Sequence, residues 1–257
     1  KTIRSFVPTP YWSISAKINV NDSIFEVAYE KNVIENKQEA ENIRDSCKKK
    51  EAEITKITLK EFEQNPPVPF DLGALQSESY RLFKYTPMRT SNIAQHLYIN
   101  ALISYPRTSS QKLPPSIGYP KILKNLSKAA SYQKIAFKLL AQPSLKPYEG
   151  KKIDPAHPAI YPTGNLPEKP LDAAERNVYD LIVKRFLAVF GEPAIKQSVN
   201  VMVNINDYYF IYSGARTLSE GWMEYYRPYA HLTDVSLPPL NEGQKGQVKK
   251  ITLKDYF

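Results

Sequence analysis

Near both ends of this sequence apolar side chains alternate strictly with polar ones, while the middle runs at a helical period, and that contrast decides most of what the chain can become. Trp12, Ile14, Ala16, Ile18 and Val20 recur at every second residue, and after Asn21-Asp22 the alternation resumes at Phe25, Val27 and Tyr29. Successive side chains of a strand point to opposite faces, so the pattern predicts a hairpin with one buried face. Val199, Val201, Val203 and Ile205 repeat it, followed by a turn at Asn206-Asp207 and by Phe210 and Tyr212. Ala52 to Leu59 reads as a further strand, and Asn36 with Glu39 opens a short polar helix through Cys47.

The run Asn65-Pro66-Pro67-Val68-Pro69 cannot be regular structure, because proline removes donors and restricts the residue before it. Past it, Leu72, Leu75, Leu82 and Phe83 share one helical segment. Thr86-Pro87 supplies a cap and a first-turn proline for a second helix lined by Ile93, Ala94, Leu97, Tyr98 and Ala101. Two helices joined by a tight turn resemble a helix-turn-helix. Tyr119 to Ala141 reads as a lysine-studded helix, and Asp172 with Glu175 forms a capping box that opens a long helix through Phe190. The expected fold class is α+β: a discontinuous β-rich domain, residues 1–64 and 192–257, interrupted by an inserted, mainly helical domain, residues 65–191.

Charge divides at the same places. The 257 residues carry a formal charge of +9, yet residues 1–64 hold 11 basic and 11 acidic side chains and residues 192–257 hold 7 of each. Residues 65–191 carry 17 basic groups against 8 acidic ones, and from Ser79 through Tyr148 eleven Lys and Arg stand without one Asp or Glu. A lysine-rich solvated surface is the plain explanation, but an acid-free window this long leaves a positive field that disfavours the compact state unless a polyanion binds. Nucleic acid is the expected polyanion. Other classes fall away. No apolar run approaches the roughly 18 residues that span a bilayer, nothing at the N-terminus reads as a signal peptide, and Cys47 stands alone, so neither a disulfide framework nor a cysteine zinc site is available. A reducing, cytoplasmic setting is expected.

The segment Leu102-Ile103-Ser104-Tyr105-Pro106-Arg107-Thr108 follows the helix pair directly. Pro106 disfavours a helical Tyr105, and on extended chain a period of two puts Arg107 on the same side as the tyrosine. A phenol is a weak nucleophile at neutral pH; a nearby guanidinium favours phenolate and grips phosphate. Alone the pair says little, since most tyrosines are packing residues.

A second string alters that reading. Asn92 to Thr108 ("NIAQHLYINALISYPRT") and Asp154 to Gly164 ("DPAHPAIYPTG") together resemble the type IA DNA topoisomerases, in a form most similar to archaeal members. Weaker likenesses, "PTPYWSI" (Pro8 to Ile14), "LGALQSESYRL" (Leu72 to Leu82) and "YDLIVKRFLAVF" (Tyr179 to Phe190), run in the family's order over nearly the whole chain. The resemblance implies that Tyr105 attacks a phosphodiester of single-stranded DNA and becomes linked to the 5′ phosphate. It implies that Arg107 stabilises charge on that phosphate and that His157 contacts it or a neighbour. Arg89, Thr108, Lys112, Lys121, Lys124 and Lys128 are the expected DNA-binding residues, whereas His96 and His231 read as structural. The family usually has an acid after its Tyr-x-Arg-Thr string, and here Ser109 stands instead.

The resemblance further implies a β-rich arch enclosing a winged-helix-like tyrosine domain, a nucleoid-associated location, and single-stranded or negatively supercoiled DNA as partner. It also implies Mg2+ in the complete enzyme, held by clustered carboxylates of a Toprim domain. No Asp-x-Asp occurs here and no acid stands near Tyr105 in sequence, so no metal-binding residues are expected in this chain. The Toprim and strand-gripping domains are expected as further parts of the same enzyme, and the chain is expected not to cleave alone. Three alternatives bear on function. A non-enzymatic single-strand binder would stack bases on Tyr98, Tyr119 and Tyr132. A recombinase or rolling-circle nickase needs an Arg-His-Arg set or a His-x-His pair, and neither is present. The topoisomerase half of a reverse gyrase shares the tyrosine motif, and no Walker loop appears here.

Overall fold

The Asn21-Asp22 and Asn206-Asp207 turns both take the left-handed backbone that a two-residue hairpin of the right twist requires, with φ of 50° and 60° in the first and 51° and 64° in the second. In the computed structural model, which describes residues 9–230 and 237–256, they join β1 (Tyr11–Val20) to β2 (Ser23–Tyr29) and β4 (Ala194–Ile205) to β5 (Tyr208–Ser219). Pro8, His231 and Phe257 lie outside the described residues. With β3 (Glu51–Gln64) and β6 (Lys245–Tyr256) these strands close a barrel in the order β1-β2-β5-β4-β3-β6. β3 runs past Leu59, where the alternation fades and its side chains become exposed.

The alternating residues line the barrel core. Ile14, Ala16, Ile18, Val20, Phe25, Val27 and Tyr29 are buried with Val201, Val203, Ile205 and Phe210. Helix α1 (Lys37–Cys47) is capped by Asn36, whose side chain accepts from the Glu39 N–H, and it lays Ala40, Ile43 and Cys47 into the same core. Burial pushes the Cys47 thiol up to about 11.

The chain divides into two compact units. One holds described residues 9–62, 196–217 and 237–256, and the other holds 63–195 and 218–230. Residues 218–230, which the sequence groups with the flank 192–257, thus belong to the helical unit. The reason is their apolar content: four aromatic residues, Trp222, Tyr225, Tyr226 and Tyr229, are buried in its core together with Met223. A short 3₁₀ turn, Gly221–Glu224, makes this possible, because Gly221 has φ +50° and a Cβ there would lie 2.5 Å from the carbonyl oxygens of Glu192 and Pro193.

The helical unit is built from α2 (Leu72–Phe83), α3 (Pro87–Ile99), α4 (Tyr119–Leu126), α5 (Ala130–Leu140) and α6 (Ala173–Ala188). Asp71 caps α2, Thr86 caps α3 ahead of Pro87, and Asp172 with Glu175 closes a reciprocal capping box on α6. Helix α6 buries Val178, Tyr179, Leu181, Ile182, Val183, Phe186 and Leu187, so it serves as the axis of the unit; it stops at Ala188, before Phe190.

Two expectations need correction. Tyr119 to Ala141 is not one helix but two, separated at 127–129. On a continuous helix Tyr132 would point about 120° away from Leu126, whereas the core takes both. The Ser127 hydroxyl, bonded back to the Lys124 carbonyl at 2.9 Å, and an extended Ala129 make the break. Tyr98 and Ala101 do not share the buried side of α3: both are exposed, and Ala101 ends the helix with φ 54°.

Candidate active site

Immediately after α3 the chain enters an extended segment held by the second motif. The Thr163 N–H donates to Leu102 O at 3.0 Å, Ile103 bridges Pro162 antiparallel, and the Ser104 N–H donates to Tyr161 O at 2.9 Å. The Ser104 hydroxyl fastens the pairing, accepting from the Tyr161 N–H at 3.0 Å and donating to Ala159 O at 3.3 Å. Further along, the Thr108 hydroxyl donates to His157 O at 3.4 Å. Phe70, just past the proline-rich run, bridges Ile160 on the same string. Two sequence motifs about fifty residues apart are therefore stitched side by side.

Tyr105 sits on this seam, off any helix, as its following proline predicts. Its ring packs against the His157 imidazole with centroids 4.6 Å apart, and Tyr98 of α3 meets it edge-on at 5.4 Å. Tyr98 thus leaves the α3 core face to brace the tyrosine, a role its helical spacing does not reveal. Tyr105 and His157 are each half-buried, accessible to a ligand yet held by packing.

Arg107 is exposed and, among the described residues, makes no ion pair and no ring contact; the structure brings His157 to Tyr105 and leaves the guanidinium facing outward. Thr108 is buried at 4% exposure, so its hydroxyl holds the seam and is not open to DNA. Arg89 lies at the start of α3 over the Tyr85 ring, 4.3 Å from its centroid. Lys121 and Lys124 project from α4 opposite its buried Ile122, Leu123 and Leu126, and Lys128 follows just past the helix end, all three exposed. Lys112 differs, since its ammonium pairs with Glu149 at 3.3 Å.

The acid-free window is less bare in space than in sequence. Glu78, Glu149 and Glu224, all outside it, fold back onto Arg81, Lys112 and Lys138. Lys84, Arg89, Arg107, Lys121, Lys124, Lys128, Lys134 and Lys146 form no ion pair among the described residues, and they carry the remaining field.

An acid does reach the seam, although none stands beside Tyr105 in sequence. Asp154 Oδ1 accepts from the N–H groups of Ala156 at 3.0 Å and His157 at 3.1 Å, and Oδ2 accepts from the Ser109 hydroxyl at 3.3 Å and N–H at 3.4 Å. The Ala156 N–H foremost, with those of Ser109 and His157, holds this carboxyl below the usual range. Nothing but its place inside the second motif signals it in the sequence. A magnesium ion needs several free oxygens; one carboxylate already accepting four hydrogen bonds does not supply them, and no group of three or more His, Cys, Asp or Glu comes together among the described residues. Among the described residues, this set does not fit that ion.

A family model described as DNA topoisomerase matches residues 1–257. The chain is 44% identical over 252 residues to DNA topoisomerase 1 of Pyrococcus horikoshii, and 45% identical over 252 residues to that of Methanothermobacter thermautotrophicus. The chain belongs to the type IA DNA topoisomerase family. The alignments cover 98% of the chain but 37% and 34% of those two topoisomerases, so it spans about a third of their length. Full-length topoisomerase I of Thermotoga maritima shares the fold, with a TM-score of 0.67 at 21% identity over 99% of this chain and 41% of that one.

Family membership narrows the alternatives, and the burial of Tyr119 and Tyr132 narrows them further. At 5% and 7% exposure these rings pack inside the helical unit, where the Tyr132 hydroxyl donates to Asp180, and they are not available to stack on bases. Tyr98, at 40%, is. No helix among the described residues is long and apolar enough to cross a membrane.

Proposed function

We propose that this chain is the strand-cutting gate of a type IA topoisomerase, with Tyr105 as its nucleophile. The observation that carries the reading is the packing of the Tyr105 ring on His157 across a seam made by the two motif strings. The phenol oxygen attacks the phosphorus of a single-stranded DNA phosphodiester and gives up its proton, while O3′ leaves and takes one. The 5′ phosphate is then held as a tyrosine diester, and the reverse attack by O3′ reseals the strand without consuming a nucleotide. A ring N–H of His157 donates to a phosphate oxygen beside the phenol, and Arg107 closes on the phosphate from the exposed side when DNA is present. Lys121, Lys124, Lys128 and Arg89 hold the neighbouring backbone.

In the same reading the barrel and α1 form the arch, the helical unit is its inserted, winged-helix-like tyrosine domain, and movement of one against the other opens a passage for the second strand. Mg2+ and the carboxylates that hold it come from a Toprim domain outside these residues. The chain by itself then binds single-stranded DNA weakly and does not cleave it.

The test uses this chain within a complete topoisomerase polypeptide. Tyr105→Phe should abolish covalent trapping of a labelled oligonucleotide on a denaturing gel while single-strand affinity is kept. Plasmid relaxation surviving that substitution would refute the assignment. Relaxation of negatively supercoiled plasmid by the 257-residue chain alone with magnesium would refute the claim that further domains are needed.

A further inference from the structure

We infer that Asp154 is a positioning residue for strand cleavage: its carboxylate ties the chain just past Arg107-Thr108 to the backbone of His157, and so sets the imidazole against the Tyr105 ring. The inference rests on the reading of Tyr105 as nucleophile.

The bonds divide between the two strings. Oδ1 takes the Ala156 and His157 N–H groups and so fixes the turn that presents the imidazole, while Oδ2 takes the hydroxyl and N–H of Ser109 on the nucleophile's own segment. Other ties across this end of the seam are weaker. The Thr108 hydroxyl bond to His157 O matches the Ser109 bonds in length, 3.4 Å against 3.3 and 3.4 Å, but it is neutral, whereas bonds to an ionised carboxylate are roughly twice as strong as neutral ones. Prolines leave little else to hold the turn. Pro155 has no N–H to give, and Pro158 biases His157 toward extended backbone without fixing where the residue sits. The carboxylate thus addresses both strings at once, and the ring pair with centroids 4.6 Å apart joins the same two strings.

The cost of losing it should appear in the chemical step and not in binding, because DNA affinity comes from the exposed cations. In a complete topoisomerase polypeptide, Asp154→Ala should slow covalent trapping of a single-stranded oligonucleotide by about a hundredfold, the usual penalty for misplacing a reacting group by an ångström. Affinity for the same oligonucleotide should change by less than about threefold. Asp154→Asn keeps an Oδ1 acceptor for Ala156 and His157 and can donate from Nδ2 to the Ser109 hydroxyl oxygen, losing only the charge and the Ser109 N–H bond, so it should recover at least about tenfold of the lost rate. Trapping by Asp154→Ala at the wild-type rate, or an equal loss in Asp154→Asn, overturns the inference. If Asp154→Ala fails to fold, Asp154→Asn against wild type decides: slower trapping at unchanged affinity supports the role, and a wild-type rate overturns it. Tyr105→Phe in parallel separates the two claims: trapping by that variant refutes the nucleophile on which the inference rests, whereas its loss there beside wild-type trapping by Asp154→Ala refutes the positioning alone.

Discussion

Replacing Lys121, Lys124 and Lys128 together by alanine removes three exposed cations from α4 and the turn after it, and none of the three has an acidic partner to leave behind among the described residues. Each phosphate neutralised on a single strand contributes about −0.7 to the slope of log K against log salt. Three contacts therefore contribute about −2, and at ~0.1 M salt the triple variant should bind single-stranded DNA about a hundredfold more weakly. Lys112→Ala is the internal control. Its ammonium already has a counterion in Glu149 at 3.3 Å, so its loss releases little and should leave the slope nearly unchanged. Fluorescence anisotropy of a labelled oligothymidine, titrated at several potassium chloride concentrations, gives both quantities. Fold is not at issue, because the buried face of α4 is Ile122, Leu123 and Leu126. If Lys112→Ala lowers the slope as much as any of the three, or the triple variant leaves it intact, then reading free cations from the absence of an ion pair is wrong and DNA follows another face.

Gly221→Ala should destabilise the helical unit by at least about 2 kcal/mol, because a left-handed backbone penalises any Cβ, and this one would meet two carbonyl oxygens at 2.5 Å; thermal unfolding measures it. Asp180→Ala strands the hydroxyls of Tyr132 and Tyr229, which now donate to it at 3.0 and 2.6 Å, and should cost about 2 kcal/mol in denaturant unfolding. Desolvation on burial raises the Tyr119 and Tyr179 phenols to about 12 and the Cys47 thiol to about 11. The unfolded chain gives up these protons first, at about 10 for a phenol and 8.5 for a thiol. Their stabilisation is therefore complete below those values and is lost as pH rises through 11 to 12. Unfolding followed at increasing pH, together with ultraviolet titration of the phenols, should show stability falling across that window; constant stability there would contradict the burial.

What the sequence makes legible here is what a handful of adjacent residues decide. The Asn-Asp turns, the Asn36, Thr86 and Asp172 caps and the proline break at 65–69 each depend on local backbone chemistry, and each stands where its residues put it. The split of Tyr119 to Ala141 into two helices is not legible, because every residue from 127 to 130 is an acceptable helix former and only the need to bury both Leu126 and Tyr132 breaks the run. The candidate site divides in the same way. Tyr105 and His157 stand out by motif, but their ring contact, the Tyr98 brace, the Ser104 clamp and the Asp154 bonds join positions up to 57 residues apart, a pairing that spacing along one chain does not specify. Net charge misleads in a related way, since Glu149 and Glu224 return to lysines of the window from outside it.

The barrel order has a consequence for how the molecule is made. β1 pairs with β6 along nearly its whole length, from Tyr11 with Tyr256 to Asn19 with Gln247. A ribosome adding about 5–20 residues per second finishes β1 roughly 10 to 50 seconds before β6 exists. Throughout that interval the first hairpin has an open edge and an uncovered apolar face, and the sixth strand is the one that shuts it. A stall before residue 245 would leave β1 with an unpaired edge, a ready template for pairing with other chains.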